Sequence, residues 1–169
     1  MEVLEALHTR RSIRSYSEQE VPESVLEDLC KAGMAAPSAG NQQPWHFIIT
    51  RDKEIMQKFA AFHPYAKMLM QAAAAIVVCG DDRNMRYGDY WVQDCSAAAE
   101  NILLAAHAMG LGAVWIGIYP RQDRVDQTAA LFGMPEGVLP LCCISLGHPA
   151  EQKGPSERYD PDRIHRDRW

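Results

Sequence analysis

No stretch of the 169-residue chain approaches the roughly 18 apolar residues of a membrane-spanning helix, so no membrane span is expected. An excess of basic residues is also missing. Seventeen Lys and Arg stand against 22 Asp and Glu, a net charge of −5, which argues against a nucleic-acid partner. The five cysteines are odd in number and lack framework spacing or a CxxC pair, which excludes a disulfide scaffold and points to a reducing cytoplasm. Cys142 and Cys143 sit side by side in an apolar run and read as core thiols. Residues 1–15 mix charges with short apolar runs, so no leader pattern is read there. The six histidines show no metal-ligand spacing, and no metal site is expected. There is neither a Walker-type loop nor a GxSxG elbow. Gly110-Leu111-Gly112 begins like a dinucleotide fingerprint, but the next glycine, Gly117, comes two places too late and falls in a strand. The polar turn Gly80 to Asn84 is not a calcium loop, because Arg86 occupies a position that needs an oxygen ligand. Chemistry built from protein side chains is thus unsupported, and a cofactor-borne chemistry remains.

Among the features present, Arg10-Arg11-Ser12-Ile13-Arg14-Ser15-Tyr16 gathers three guanidiniums and two serine hydroxyls into seven residues. Guanidinium forks match phosphate or carboxylate oxygens two at a time, so the stretch reads as a site for a small phosphorylated anion. It follows a short helix, Glu2 to Thr9, whose apolar side is Val3, Leu4 and Leu7. A Val-Pro-Glu-Ser start at Val21 opens a second helix that runs out near Gly33 to Pro37. Pro37 to Pro44 is an amide-rich loop, and Trp45 to Thr50 a strand. Helices are expected over 52–62 and 65–73, interrupted at His63-Pro64, and then a strand over 75–79. Apolar residues at spacings of three and four predict the longest helix, from about residue 87 or 89 to Met109, capped by Gly110. Leu111 to Tyr119 is a strand whose two glycines mark close approach by a ligand or another backbone. A helix over 120–132 and an apolar strand over 138–146, buried on both faces, complete the regular elements. The polar segment 150–169 is expected to be an extended arm whose Ile164 and Trp169 need burial elsewhere. The length suits one domain, 1–169, with 150–169 as that arm.

Four blocks together resemble the FMN-dependent nitroreductase family, in its order and spacing. They are Arg10 to Arg14, Ala36 to Phe47 (APSAGNQQPWHF), Gly110 to Gly117 (GLGAVWIG) and Gly147-His148-Pro149. The ending Arg163 to Trp169 resembles its compact members. The resemblance implies an α+β fold, with a central mixed, mainly antiparallel sheet flanked by helices. It also implies a homodimer that exchanges the C-terminal arm and holds FMN at its interface. Carried over by position, Arg10, Arg11 and Ser12 would hold the FMN phosphate and nearby ribityl oxygens, with help from Arg158. Arg14 would lie toward the flavin pyrimidine. Pro37, Ser38, Ala39 and Asn41 would contact the FMN of the partner subunit. Ile116 and Gly117 would offer backbone groups near N5. Ser156 stands where relatives often place a lysine; Lys153 is a candidate replacement, and Lys67 a candidate further cation.

The function implied is a small-molecule oxidoreductase. NADH or NADPH would reduce non-covalently bound FMN through N5, and a nitroaromatic, quinone or similar acceptor would then be reduced in ping-pong order. No protein side chain is assigned a catalytic role. Tyr65, Trp91 and Tyr119 are candidates for the acceptor side. The alternatives are a non-catalytic FMN carrier or redox sensor, and another flavin chemistry of the superfamily such as reductive dehalogenation or flavin fragmentation. A phosphate-binding module without flavin is a further rival.

Overall fold

The computed structural model describes every residue except Asp82 and Asn84, which leaves part of the 80–84 turn outside the described residues. Helices α1 (Val3–Thr9) and α2 (Glu23–Met34) precede strand β1 (Trp45–Thr50) and helix α3 (Lys53–Phe62). Then come β2 (Ala74–Asp81), the long α4 (Trp91–Ala108), β3 (Gly112–Gly117), α5 (Gln122–Phe132) and β4 (Val138–Gly147). Among the described residues the strands form a four-stranded sheet in the order β1-β2-β4-β3, each neighbour antiparallel. The expected parallel element shrinks to an isolated bridge between Ser12 and Ala113.

Alternation along the two central strands sorts the core into two layers. Ile76 and Val78 of β2, with Cys142, Ile144 and Leu146 of β4, face α2 and α4 and meet Leu26, Cys95, Ala98 and Ile102. Val77 and Cys79 of β2, with Cys143 of β4, face α3 and α5 and meet Met56, Phe59 and Val125. All five cysteines are free and buried. Burial lifts the Cys143 thiol to about 12, so these thiols are inert packing groups. Gly33 lets α2 settle on α4, since a Cβ there would lie 3.0 Å from Ile102 Cδ1.

One expectation needs correction. The segment expected to be helical over 65–73 has only a 3₁₀ turn at Lys67–Met70, because β2 begins at Ala74 and leaves no room for regular turns. The apolar side of α1 faces outward: Val3, Leu4 and Leu7 are exposed, and only Ala6 is buried. The arm is extended as expected, with one 3₁₀ turn at Pro161–Arg163.

Candidate functional site

Residues 10–16 leave α1 and run beside the sheet. Ile13 N–H donates to the Ala113 carbonyl at 3.0 Å, Ala150 N–H to the Ser15 carbonyl at 2.9 Å, and Ser17 N–H to the His148 carbonyl at 2.9 Å. The sheet edge and the start of the arm thus fix the path of the arginine stretch. A groove of about 600 Å³ lies on one side of it, lined by Leu7, His8, Arg10, Ser156, Glu157, Arg158 and Tyr159. Arg10 and Arg158, from opposite ends of the chain, both line it, and so does Ser156. Arg10 Nε also donates to Glu100 Oε1 of α4 at 3.2 Å.

Arg11 lies on the other side. It donates to the Gly154 carbonyl and lines a separate groove with Thr9, Ile13, His107 and Lys153. Lys153 Nζ donates to the Ser12 carbonyl at 2.8 Å, tying the arm down at Ser12 rather than joining Arg10 and Arg158. The Arg14 side chain is exposed, and the Arg14 backbone N–H donates to Glu151 Oε1. That bond, with a smaller share from Lys153, draws the Glu151 carboxyl below its ordinary range. Lys67 lines a different groove beside Gln57 and Met70.

The amide-rich loop forms a third constellation. Ala39–Asn41 is a 3₁₀ turn in which Asn41 takes φ 55°, and Gln43 follows at 51°, a conformation that costs non-glycine residues energy. The loop is held from below by Asp94 of α4, a buried carboxylate. Its Oδ1 accepts from Ala39 N–H at 2.9 Å and its Oδ2 from Gln42 Nε2 at 3.0 Å. Gln42 also pairs with both backbone groups of Tyr87. Pro37 and Asn41 are exposed, and Ser38 and Ala39 half-buried. None of the four lines the Arg10 groove of the same chain.

Strand β3 supplies the fourth piece. Ile116 is buried and Gly117 half-buried at its end. His63, buried beneath, sends Nε2 to the Gly117 carbonyl at 2.8 Å, and Arg124 of α5 reaches the same oxygen at 3.2 Å. Burial, followed by the nearby Arg124 charge, pushes the His63 pKa down against the pull of the Gly117 bond. Trp91 and Tyr119 meet edge to face with centroids 4.9 Å apart; Tyr65 is exposed under the Arg124 guanidinium. Sequence reasoning did not find Asp94, His63 or Arg124. Only an acid within the apolar stripe of α4 could have flagged the first of them.

The arrangement offers a cationic groove for an oxyanion, a strained polar loop and a clamped strand end. Among the described residues no group of three His, Cys, Asp or Glu converges as metal ligands would. The Nitroreductase family profile matches residues 7–75 and 61–148. A protein of Methanothermobacter thermautotrophicus with the provisional name NADH dehydrogenase/NAD(P)H nitroreductase is 50% identical over 169 residues, covering 100% of this chain and 88% of its own. An FMN-dependent nitroreductase from Clostridium difficile superposes with a TM-score of 0.91 at 30% identity, covering 98% of this chain and 99% of the other. A provisionally named nitroreductase from Desulfovibrio desulfuricans, crystallised in complex with FMN, gives a TM-score of 0.86 at 32% identity over 100% and 98%. With a family profile spanning most of its length and a relative identical at half its positions, this chain belongs to the nitroreductase family.

Proposed function

We propose that this protein is an FMN-dependent NAD(P)H oxidoreductase acting on nitroaromatics, quinones or similar small acceptors. The observation that carries the reading is the convergence of Arg10 and Arg158 in one groove, in a chain whose relatives include FMN-dependent and FMN-bound nitroreductases. When bound, FMN supplies the two-electron chemistry: hydride in from NADH or NADPH at N5, and out to the acceptor. The residues present fit that cofactor. Its phosphate carries up to two charges, and charge-assisted bonds to arginine are worth about 1.5–3 kcal/mol each.

In this reading Arg10 and Arg158 hold the phosphate, with Ser156 beside them. Ser12 serves a ribityl oxygen. Arg11 braces the arm through Gly154 and reinforces the positive field. Arg14, exposed and, among the described residues, hydrogen-bonded through its backbone to Glu151, would reach the pyrimidine edge and stabilise negative charge there. Ile116 and Gly117 present backbone groups near N5. Pro37, Ser38, Ala39 and Asn41 face the FMN of a partner subunit, which accounts for their separation from Arg10 within one chain. Donor and acceptor use one open face in turn, the ping-pong order. The unit is one domain, 1–169, working as a homodimer. Five reduced buried thiols suit the cytoplasm.

The test is colour. The purified protein is expected to be yellow and to bleach anaerobically on adding NADH or NADPH. Colourless protein that takes up no added FMN overturns the reading. Yellow protein that neither nicotinamide reduces points instead to an FMN carrier or redox sensor.

A further inference from the structure

We infer that Glu151, seconded by Tyr16, is a positioning residue that fixes the root of the Arg14 side chain and thereby sets how strongly the protein favours reduced over oxidised cofactor. The inference rests on the proposed placement of Arg14 toward the flavin pyrimidine. Its physical basis is the way the two peptides leading into Arg14 are held. In the Ser12–Ile13 peptide the carbonyl accepts from Lys153 Nζ at 2.8 Å, and the N–H donates to the Ala113 carbonyl at 3.0 Å. In the Ile13–Arg14 peptide the carbonyl accepts from Tyr16 OH at 2.8 Å, and the N–H donates to Glu151 Oε1 at 2.5 Å. Each peptide is thus held at both of its polar groups, so neither can turn without breaking a bond. The Arg14 Cα closes the second peptide, and its exposed side chain extends from that one place.

The two side-chain partners are themselves anchored. Tyr16 is 6% exposed, and its ring lies against Gly147, where a Cβ would come within 2.9 Å of it. Burial pushes its hydroxyl well above the ordinary phenol pKa, so the proton stays and the group donates. The Ser145 carbonyl lies farther from that hydroxyl, at 3.3 Å, and the shorter bond goes to Ile13. Glu151 stands at the root of the arm. The bond from Ala150 N–H to the Ser15 carbonyl at 2.9 Å sets it beside Arg14, and Lys153 Nζ meets the same Oε1 at 3.1 Å. A stretch that only attracts an anion gains nothing from a carboxylate at its side, since a negative charge there weakens the field of its three arginines. Geometry accounts for this carboxylate where charge does not. A cation with a fixed root is preorganised for negative charge that develops on reduction, whereas a mobile one loses part of that stabilisation to ordering.

The experiment uses full-length apoprotein and measures dissociation constants for oxidised and reduced FMN. The proteins are wild type, Arg14→Gln, Glu151→Ala, Glu151→Gln, Tyr16→Phe and the double variant Arg14→Gln with Glu151→Ala. Arg14→Gln removes the cation and is expected to weaken reduced relative to oxidised FMN about tenfold. Glu151→Ala and Tyr16→Phe shift the ratio in the same direction by about threefold. Glu151→Gln, whose amide oxygen still accepts the Arg14 N–H, restores most of the difference. With Arg14→Gln already in place, Glu151→Ala changes the ratio no further. A Glu151 that acts by its own charge gives the opposite sign, since its removal tightens reduced FMN with or without Arg14, and that result overturns the inference. Folded Glu151→Ala and Tyr16→Phe proteins with lowered melting temperature but wild-type ratios show a role in folding alone; they overturn it too and leave the flavin reading intact. If Tyr16→Phe does not fold, Glu151→Ala decides alone. Arg14→Gln with a wild-type ratio removes Arg14 from the pyrimidine and this inference with it, while FMN binding stands. Wild-type apoprotein that binds no FMN overturns the flavin reading and this role with it.

Discussion

Arg10 is held ready for an anion but is not free of one. Its side chain is 19% exposed, and Glu100 sits at 3.2 Å, so a bound phosphate must share or displace that carboxylate. A partly buried guanidinium loses more by losing its partner than an exposed one, which makes this arginine the most telling single position. Arg10→Ala is expected to weaken FMN binding by about tenfold to a hundredfold, the range of one or two charge-assisted bonds. Equilibrium titration of apoprotein checks it, and unchanged affinity removes Arg10 from the phosphate site. Arg10 stands out along the chain because charge clusters at residues 10–14, whereas Arg158 enters only through the family resemblance. Asp94 and His63 do not stand out. Asp94 falls among Cys95, Ala98 and Ala99, and its partners, Ala39 N–H and Gln42, are distant in sequence. His63 precedes Pro64 and reads as a helix breaker, while its meaning lies in a carbonyl on another strand. Single side chains whose role is to hold distant backbone leave no periodic trace.

Among the elements, periodicity succeeded where burial was decisive and failed where space was short. The almost wholly apolar run 138–146 became β4, buried on both faces, and the three-and-four spacing of residues 91–109 became α4. The run at 65–73 carried helical spacing, yet Ala66, Leu69 and Ala72 are buried in a stretch that turns directly into β2, and a 3₁₀ turn fits where an α-helix does not. At Gly112 of β3 the close neighbour is a side chain rather than the ligand or backbone that glycine suggested. A Cβ there would lie 2.7 Å from Ile13 Cγ2 and 3.0 Å from Ile13 Cβ. Ile13 is β-branched, stiff, and bonded through its backbone to Ala113, so it cannot swing aside cheaply. Gly112→Ala is therefore expected to lift residues 11–14 from the sheet edge. The cost is about 1–3 kcal/mol, or roughly 2–4 °C of melting temperature per kcal/mol. FMN affinity should fall along with it, because the arginine stretch takes its course from that contact. Thermal melts and apoprotein titration of the same variant check both parts. A variant that melts normally and binds FMN normally would show that the stretch does not depend on this contact.

At the scale of the whole molecule, one chain leaves too much apolar surface open for its own fold to explain. Leu4 is 69% and Val3 73% exposed on α1, Met109 is 48% exposed past the end of α4, and Ile164 and Trp169 of the arm are 48% and 101% exposed. An isolated exposed leucine is ordinary; a helix whose whole apolar side faces water is not. Residues 37–41 likewise form a strained, braced loop that meets no cation of its own chain's groove. A homodimer answers both facts. In the proposed arrangement it would cover α1 and the arm, and would bring the loop of one subunit to the arginines of the other. The arm is the sensitive point, since 160–169 packs against little of its own chain. Removing residues 160–169 is expected to raise the dimer dissociation constant by at least about tenfold and to make melting depend on protein concentration, as linkage of folding to association requires. Sedimentation equilibrium and melts over a dilution series measure both. FMN affinity should fall in parallel with dimer content, because each site then draws residues from two subunits. A truncated protein that stays dimeric at full melting temperature would place the interface on α1 and α4 alone. One that becomes monomeric yet binds FMN unchanged would confine the cofactor to the Arg10 and Arg158 groove of a single chain.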